Sequence, residues 1–528
     1  MKHAIIAAAA LAASFSLPAQ ETLSTEVVVD RTVEPAERAA VRPGGLFPAL
    51  VLPPVSPLSL STASYAGFGP VSGAYPALAP AEDAALPPLS PYRGYASLGY
   101  FPLYNLGISA GYRLINDDRT RLGVYGQFDG ETYKYKSQIP GRMRYNGGMA
   151  GVNLNQKFGS DSHLLLHARG GHAAYRSLLY DSQSLTELAL DASWVSRIGR
   201  FHYLVGAGIG YDGFGKIADE WDSMHQTDMR FKAAGAYVFD RSSRAGLDID
   251  GEWVSTSTDG VPTLGVVGFT PYFAYRSDIL SARLGARLDL GSGGEGSKFH
   301  AAPQVSVAWT PTGIVSVYAT ATGGVSVNPL GRVRESYSAY LPGLYGLERS
   351  RLPYDIRLGF NVGPLDGLTL EAFGAYAQTK SGVWLGSEYG MPIVQADAKA
   401  FTAGIKAAYA YRKLFKIDAS AQFAQSDRTK AWHEWTDRAK SVVNAGAEVY
   451  PMDGLTLRVG YDWRGGRSTL DGIGLGCRSD LRAGASYDFT EALGISLDVE
   501  NILGRRYELF TGAAGNRLCG QAAVHLKF

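Results

Sequence analysis

Few residues of this chain are grouped as catalysis or metal binding would need. His163 and His167 stand four apart in a stretch that reads as a strand. At strand rise they lie roughly 13 Å apart, too far to share one metal ion, so they read as interior- or interface-facing side chains. Gly206-Ala207-Gly208-Ile209-Gly210 has Gly-x-Gly spacing but sits inside a strand with no helix to follow. It reads as glycine that relieves curvature or lets neighbouring chain approach, not as a dinucleotide loop. No Ser–His or Asp–His pairing emerges, so no catalytic residue, metal ligand or cofactor is assigned and no enzyme is expected.

Three connectors hold better candidates. Residues 328–352 carry Arg332, Arg334, Tyr337, Tyr340, Tyr345, Arg349 and Arg351. A second connector carries Trp384 and Tyr389, and a third is crowned by Trp432-His433-Glu434-Trp435. Aromatic side chains with Arg are enriched at binding hot spots. Trp and Tyr also gather at membrane–water interfaces for no reason but their amphipathic rings. Contact with a ligand or partner and a plain interfacial girdle both remain open for these residues.

Composition and periodicity describe the elements that must carry those connectors. In 528 residues, 50 Lys+Arg balance 49 Asp+Glu, a net charge of +1 that gives no basic field for nucleic acid. Two Cys exclude a disulfide-dense scaffold and a zinc ribbon. Lys2 and His3, the apolar run Ala4 to Leu17 and then Pro18-Ala19-Gln20 read as a secretory signal peptide over residues 1–20. No later apolar stretch approaches 18 residues, so a membrane form must be a closed barrel. With 64 Gly, 31 Tyr and only 19% charged residues, the chain suits many strands facing an apolar medium.

From about Tyr92 onward the pattern has period two. Val315, Val317, Ala319 and Ala321 alternate with Ser316, Tyr318, Thr320 and Thr322. Leu481, Ala483, Ala485 and Tyr487 alternate with Arg482, Gly484, Ser486 and Asp488, and Leu493, Ile495, Leu497 and Val499 with Gly494, Ser496, Asp498 and Glu500. These are amphipathic strands. Ten short polar turns recur, at 116–118, 159–161, 197–200, 240–243, 276–278, 311–313, 364–367, 411–413, 451–454 and 490–491. Longer connectors lie between them, at 136–142, 217–227, 328–352, 384–397, 427–438 and 465–477. Ten turns joining ten strand pairs, plus one strand at each end, predict an all-β transmembrane antiparallel outer-membrane barrel of about 22 strands over residues 93–528. Val524, Leu526 and Phe528 share one face of the last strand, and a terminal Phe there reads as an outer-membrane assembly signal.

Residues 21–92 differ from everything after them. They hold twelve of the 25 prolines, including Pro53-Pro54 and Pro87-Pro88, which favours extended chain. They are also apolar (Leu46, Phe47, Leu50, Val51, Leu52, Leu58, Leu60), where a free linker would be polar. The segment is expected to lie against other protein surface, either in the barrel lumen or on its periplasmic side.

The C-terminal third resembles the TonB-dependent receptor family. Gly346-Leu347-Glu348-Arg349-Ser350 running into Tyr354-Asp355-Ile356-Arg357-Leu358-Gly359 is similar to that family's loop-to-strand stretch, with Leu347 replacing the usual Pro. Pro364-Leu365-Asp366-Gly367-Leu368-Thr369-Leu370 and Pro451-Met452-Asp453-Gly454-Leu455-Thr456-Leu457 look like its periplasmic hairpins. Ser496 to Tyr507 resembles its penultimate strand, and Asn516-Arg517 matches its entry to the final strand in part. The resemblance implies a Gram-negative outer-membrane barrel for solute uptake, inserted among outer-membrane lipids by the barrel assembly machinery. It also implies that Thr25 to Asp30, with Glu26, Val27, Val28 and Val29, is the extended segment on which the energising protein TonB pairs by strand addition. The family then carries a plug of well over a hundred residues; about 70 proline-rich residues separate this segment from the first strand, so a complete plug is not expected.

Three functions follow: solute uptake with a surface lid or partner completing the gate, a non-transporting barrel subunit of a membrane complex, and a passive pore. Counting back from Phe528 places Cys477 and Cys519 at the same extracellular rim, one strand apart. That spacing is about 9.5 Å, beyond the usual disulfide limit, unless the run Gly472-Ile473-Gly474-Leu475-Gly476 bends inward. A Cys477–Cys519 disulfide is expected on that basis, with two unrelated thiols as the alternative. N-terminal sequencing of the protein from an outer-membrane fraction should start at Glu21; retention of Met1 to Gln20 would contradict export by this route.

Overall fold

The computed structural model describes residues 92–528 except 102–104, 136–140, 177–182, 216–222, 260, 295–297, 333–346, 386–392, 413, 427–438, 468–475, 506, 511–512 and 515–517. β1 (Gly94–Phe101) is followed by hairpins closed by short turns. The first are β2 (Asn105–Asn116) with β3 (Thr120–Tyr135), β4 (Gly141–Phe158) with β5 (Ser162–Arg176), and β6 (Gln183–Ile198) with β7 (Phe201–Phe214). Next come β8 (Met224–Val238) with β9 (Ser243–Thr256), β10 (Leu264–Arg276) with β11 (Leu280–Ser292), and β12 (Phe299–Trp309) with β13 (Val315–Ser326). Then follow β14 (Ser350–Leu365) with β15 (Leu368–Leu385), β16 (Ile393–Tyr411) with β17 (Phe415–Ser426), and β18 (Ser441–Met452) with β19 (Leu455–Gly465). The tenth hairpin is β20 (Arg478–Asp488) with β21 (Leu493–Glu500). A small hairpin, β22 (Glu508–Phe510) and β23 (Ala513–Ala514), precedes the last strand, β24 (Cys519–Lys527).

All but β22 and β23 form one 22-stranded antiparallel sheet, and β1 pairs with β24, so the sheet closes on itself. Twenty-two strands spaced about 4.8 Å apart and tilted about 40° make a cylinder roughly 40 Å across. Among the described residues no helix is long and apolar enough to cross a membrane.

The ten expected short turns are all present, and side chains make several of them. Asp117 Oδ1 accepts from the backbone N–H of Arg119 and Thr120, at 2.9 and 2.5 Å. Thr312 and Thr490 hydroxyls accept likewise two and three residues on. Such local acceptors stop a strand and reverse it. Asp240 accepts from the Ser243 hydroxyl and from the backbone of Ser242 and Ser243, and these bonds hold its carboxyl below the usual carboxylate range. The long connectors are shorter than expected in places: β8 starts at Met224, and β15 and β16 run to Leu385 and from Ile393. Alternation continues past the apolar belt there, so the strands continue too. Further connectors at the same rim, 102–104, 177–182, 257–263, 293–298 and 501–518, were not named from the sequence.

The faces sort as the period-two pattern requires. Leu98, Leu190, Val205, Leu284, Leu358 and Ile405 point outward and are exposed, as an apolar belt facing lipid must be. Phe158, Trp194, Phe201, Trp309, Tyr411 and Phe489 ring the belt beside the short turns. On the inner face, aromatic rings lie flat over glycines of the next strand. A Cβ on Gly111 would meet the Tyr95 ring at 2.4 Å, one on Gly151 the Tyr125 ring at 2.5 Å, and one on Gly404 the Phe373 ring at 2.7 Å. Only glycine admits that approach.

The seam is stitched on both faces. On the lumen side His525 of β24 bridges Ser97 Oγ of β1 (3.0 Å) and Ser496 Oγ of β21 (2.9 Å). On the outside Val524, Leu526 and Phe528 face lipid, and the Phe528 ring stacks on Tyr112, centroids 6.2 Å apart. Leu284→Arg, mid-belt on β11, should cost about 2–4 kcal/mol in urea unfolding from lipid vesicles. Thr402→Arg on the lumen face of β16 should cost under about 1 kcal/mol; equal costs would contradict this assignment of faces.

Candidate functional site in the barrel lumen

Lumen-facing positions of β6 to β11 hold a dense array of charge. On β7, Gly206, Gly208 and Gly210 point inward and leave room for carboxylates from both sides. Asp191 of β6 leans over Gly208 and Asp228 of β8 over Gly210. Arg230 joins them, at 3.3 Å from Asp191 and 3.1 Å from Asp228. That is what the Gly-x-Gly run does here: it makes space for a cross-strand ion pair.

Two strands on, Arg283 pairs with Asp248 at 2.6 Å and lies 3.7 Å from the centre of the Tyr272 ring. Arg287 forks onto both oxygens of Asp250 at 2.8 Å, and its Nε donates to Asp289 at 2.8 Å. The other Asp289 oxygen accepts from Val325 N at 2.9 Å. Gly268 lies beneath this triad, between Asp250 and Asp289 in register. Gly324, at a bulge in β13 with φ +148°, gives Arg287 the remaining room. Arg287 is 4% and Asp289 1% exposed, so the charges survive burial only by mutual pairing.

At the long-loop rim the connector between β13 and β14 turns into the lumen. Val327 and Leu330 are buried, Val327 packing with Val254, Leu264 and Val266. Leu330 N donates to Gln226 Oε1 at 2.6 Å, Arg332 pairs with Glu252 at 2.5 Å, and Gly331 sits against Asp212. Its return foot is the Leu347-Glu348-Arg349-Ser350 stretch. Gln395 binds both backbone groups of Glu348, at 2.7 and 2.8 Å, and buried Arg349 donates to the carbonyls of Ser292 and Gly265. Ser350 Oγ donates to Ser381 O at 2.8 Å. Both described ends of this connector, 327–332 and 347–350, are latched to the wall.

Of the binding-loop candidates, Arg332 serves this latch. Arg334, Tyr337, Tyr340, Tyr345, Trp432, His433 and Trp435 lie outside the described residues, as do Glu26, Val27, Val28, Val29 and the whole of residues 1–91. Trp384 is placed by its backbone, opposite Val394 in β15–β16. His163 and His167 face the lumen, and His167 Nε2 meets the Tyr125 hydroxyl at 2.8 Å. Cys477 and Cys519 do reach the same rim, the first exposed and the second buried, but the expected disulfide does not join them. β21 lies between the strands that carry them. Nearby, Tyr507 is buried beneath Arg478, 5.1 Å from ring centre to guanidinium, and burial pushes its phenol pKa up. Asp250, Asp289, Gln226 and Glu252 were not singled out from sequence; apart from Arg287, two residues from Asp289, these partners are 36 to 104 residues away. The available signal was charge at every second position on neighbouring strands.

The strands close into a 22-strand antiparallel barrel with an apolar exterior and a charged lumen. No family model and no curated protein matches the sequence. Solved structures do match. The siderophore receptor PirA from Acinetobacter baumannii superposes with a TM-score of 0.66 at 10% identity, over 84% of this chain and 81% of that one. The FrpB iron transporter from Neisseria meningitidis gives 0.66 at 11%, over 83% and 81%. The copper transporter OprC gives 0.64 at 12%, over 83% and 80%. The likeness is one of fold.

Arg287→Ala would leave two buried carboxylates without their guanidinium and should destabilise the barrel by about 3–5 kcal/mol in urea unfolding. Arg287→Lys should recover only part, because an ammonium cannot fork. Wild-type stability in the alanine variant would contradict the role given to the triad.

Proposed function

We propose that this protein carries solutes across the outer membrane through its barrel, with the proline-rich segment before β1 occupying part of the lumen. The observation that carries the reading is the lumen itself: a cylinder roughly 40 Å wide, lined by charge and belted by apolar side chains. Neighbours of the same fold are named as siderophore, iron and copper receptors or transporters, which favours uptake over a purely structural role. A cylinder this wide and empty would leak, so something must narrow it. Residues 327–332, turned inward, contribute to this at one rim. Bury even half of the apolar side chains between residues 46 and 60 and each contributes about 1.5–3 kcal/mol. In this reading Glu26 to Val29 stay available to TonB for strand addition, and Val524, Leu526 and Phe528 present the assembly signal.

The second reading is a non-transporting barrel subunit of a membrane complex, its lumen permanently filled. The short, proline-rich stretch where receptors of this fold carry a plug favours it. Deleting residues 44–90 should raise conductance in planar bilayers severalfold while leaving the barrel heat-modifiable on gels. Unchanged conductance, with rapid proteolysis of the segment in the intact protein, would sink the lumen-filling reading.

A further inference from the structure

Between Arg42 and Arg93 the sequence carries two charged side chains, Glu82 and Asp83. Their counterpart is on the barrel wall. Strands β2 to β5 contain two carboxylates, Asp129 and Glu131, both towards the long-loop end of β3. Towards the short-turn end the lumen face of the same strands carries Arg113, Arg121, Lys157 and Arg169. Register sets them side by side. Arg113 is opposite Gly123, two residues from Arg121; Arg121 is opposite Asn155, two residues from Lys157; Arg169 is opposite Gly151 one strand further.

The part of this face next to β1 is withdrawn from water, while Arg169 is exposed. Arg121 is 8% and Tyr95 3% exposed. The Arg113 Nε and the Tyr95 hydroxyl are buried with no hydrogen-bond partner among the described residues. Buried donors without acceptors are rare, because each forfeits its hydration. A cluster of cations beside these two donors suits an anion that brings acceptor oxygens.

The geometry points to that anion being part of this chain: we infer that Glu82 and Asp83 dock on the β2–β5 face, within reach of Arg113 and Arg121. The chain meets β1 beside this face, since Arg113 N donates to Arg93 O at 2.8 Å. Ten residues separate Asp83 from Arg93; at the polyproline rise that is a reach of about 30 Å, enough to cross these four strands. A carboxylate pair in an otherwise uncharged, apolar segment would set its register against the wall, as a single polar group sets register in an apolar interface. This inference rests on the lumen-filling reading and adds a site to it.

Site-directed cross-linking in the full chain, in membranes, separates the two. In a Cys477→Ser, Cys519→Ser background, Ala84→Cys is combined with Asn153→Cys on the lumen face of β4, or with Ser420→Cys on the lumen face of distant β17. A short bismaleimide should join residue 84 to residue 153 and scarcely to residue 420. Adding Glu82→Gln and Asp83→Asn should lower that yield about fivefold or more. These changes lie outside the barrel strands, so the barrel still folds. Cross-linking to residue 420 as well as or better than to residue 153, or a yield indifferent to neutralisation, overturns the docking and leaves the lumen-filling reading standing. Failure to cross-link at either wall position, with ready labelling of residue 84 by a membrane-impermeant maleimide, overturns both.

Discussion

The hydrogen bonds between β1 and β24 are the constraint on which the rest depends. In lipid every backbone N–H and C=O must find a partner within the protein, and a sheet meets that condition only by having no edge. Residues Tyr95 to Tyr100 pair with Ala522 to Lys527, and Arg93 and Gly94 donate to the Phe528 carbonyl. Once the sheet is closed, strand direction alternates, one rim collects the short turns and the other the long connectors. Side chains at odd and even positions then meet opposite solvents.

Closure also inverts the usual distribution of polarity. Large apolar side chains are the exposed ones, while Asp289, Arg287, Asp480 and Arg478 are among the buried. Charges inside must therefore be matched locally, and register does this by placing acids and bases on adjacent strands: Asp191–Arg230–Asp228, Asp248–Arg283, Asp250–Arg287–Asp289. Glycine makes the room. Where an aromatic ring or a guanidinium lies flat on the wall, the residue beneath it on the next strand lacks a Cβ. A wall so paired is rigid, and the strap between β13 and β14 is latched onto it through Gln226, Glu252 and the carbonyl of Ser292.

Much of this frame was legible in the chain because strands and tight turns are local. Period two reports two solvents, and Asp117, Thr312 or Thr490 at a turn reports a specific hydrogen bond, so strand number and all ten turns could be counted. The connector at 177–182 escaped because its sequence, Ser-Leu-Leu-Tyr-Asp-Ser, has neither proline nor glycine to mark the end of a strand. The lumenal triad escaped because Asp250 and Arg287 are brought together only by register across β10, which no local pattern records. The cysteines show the reverse error. Their shared rim followed from strand counting, but a bond also needed loop geometry, and the intervening strand holds them apart. The return foot at Glu348 to Ser350, read as a family likeness, has a plain physical role: its backbone and side chains tie the strap to β10, β11, β15 and β16.

Imaging tests most directly whether a barrel this wide is filled rather than an open pipe. Electron cryo-microscopy of the full-length protein in lipid nanodiscs should show 22 strands with polypeptide density inside the lumen against the β1 to β12 wall, continuous with Tyr92. A ring of 22 strands around solvent, with no density inside beyond the strap, would contradict a filled lumen.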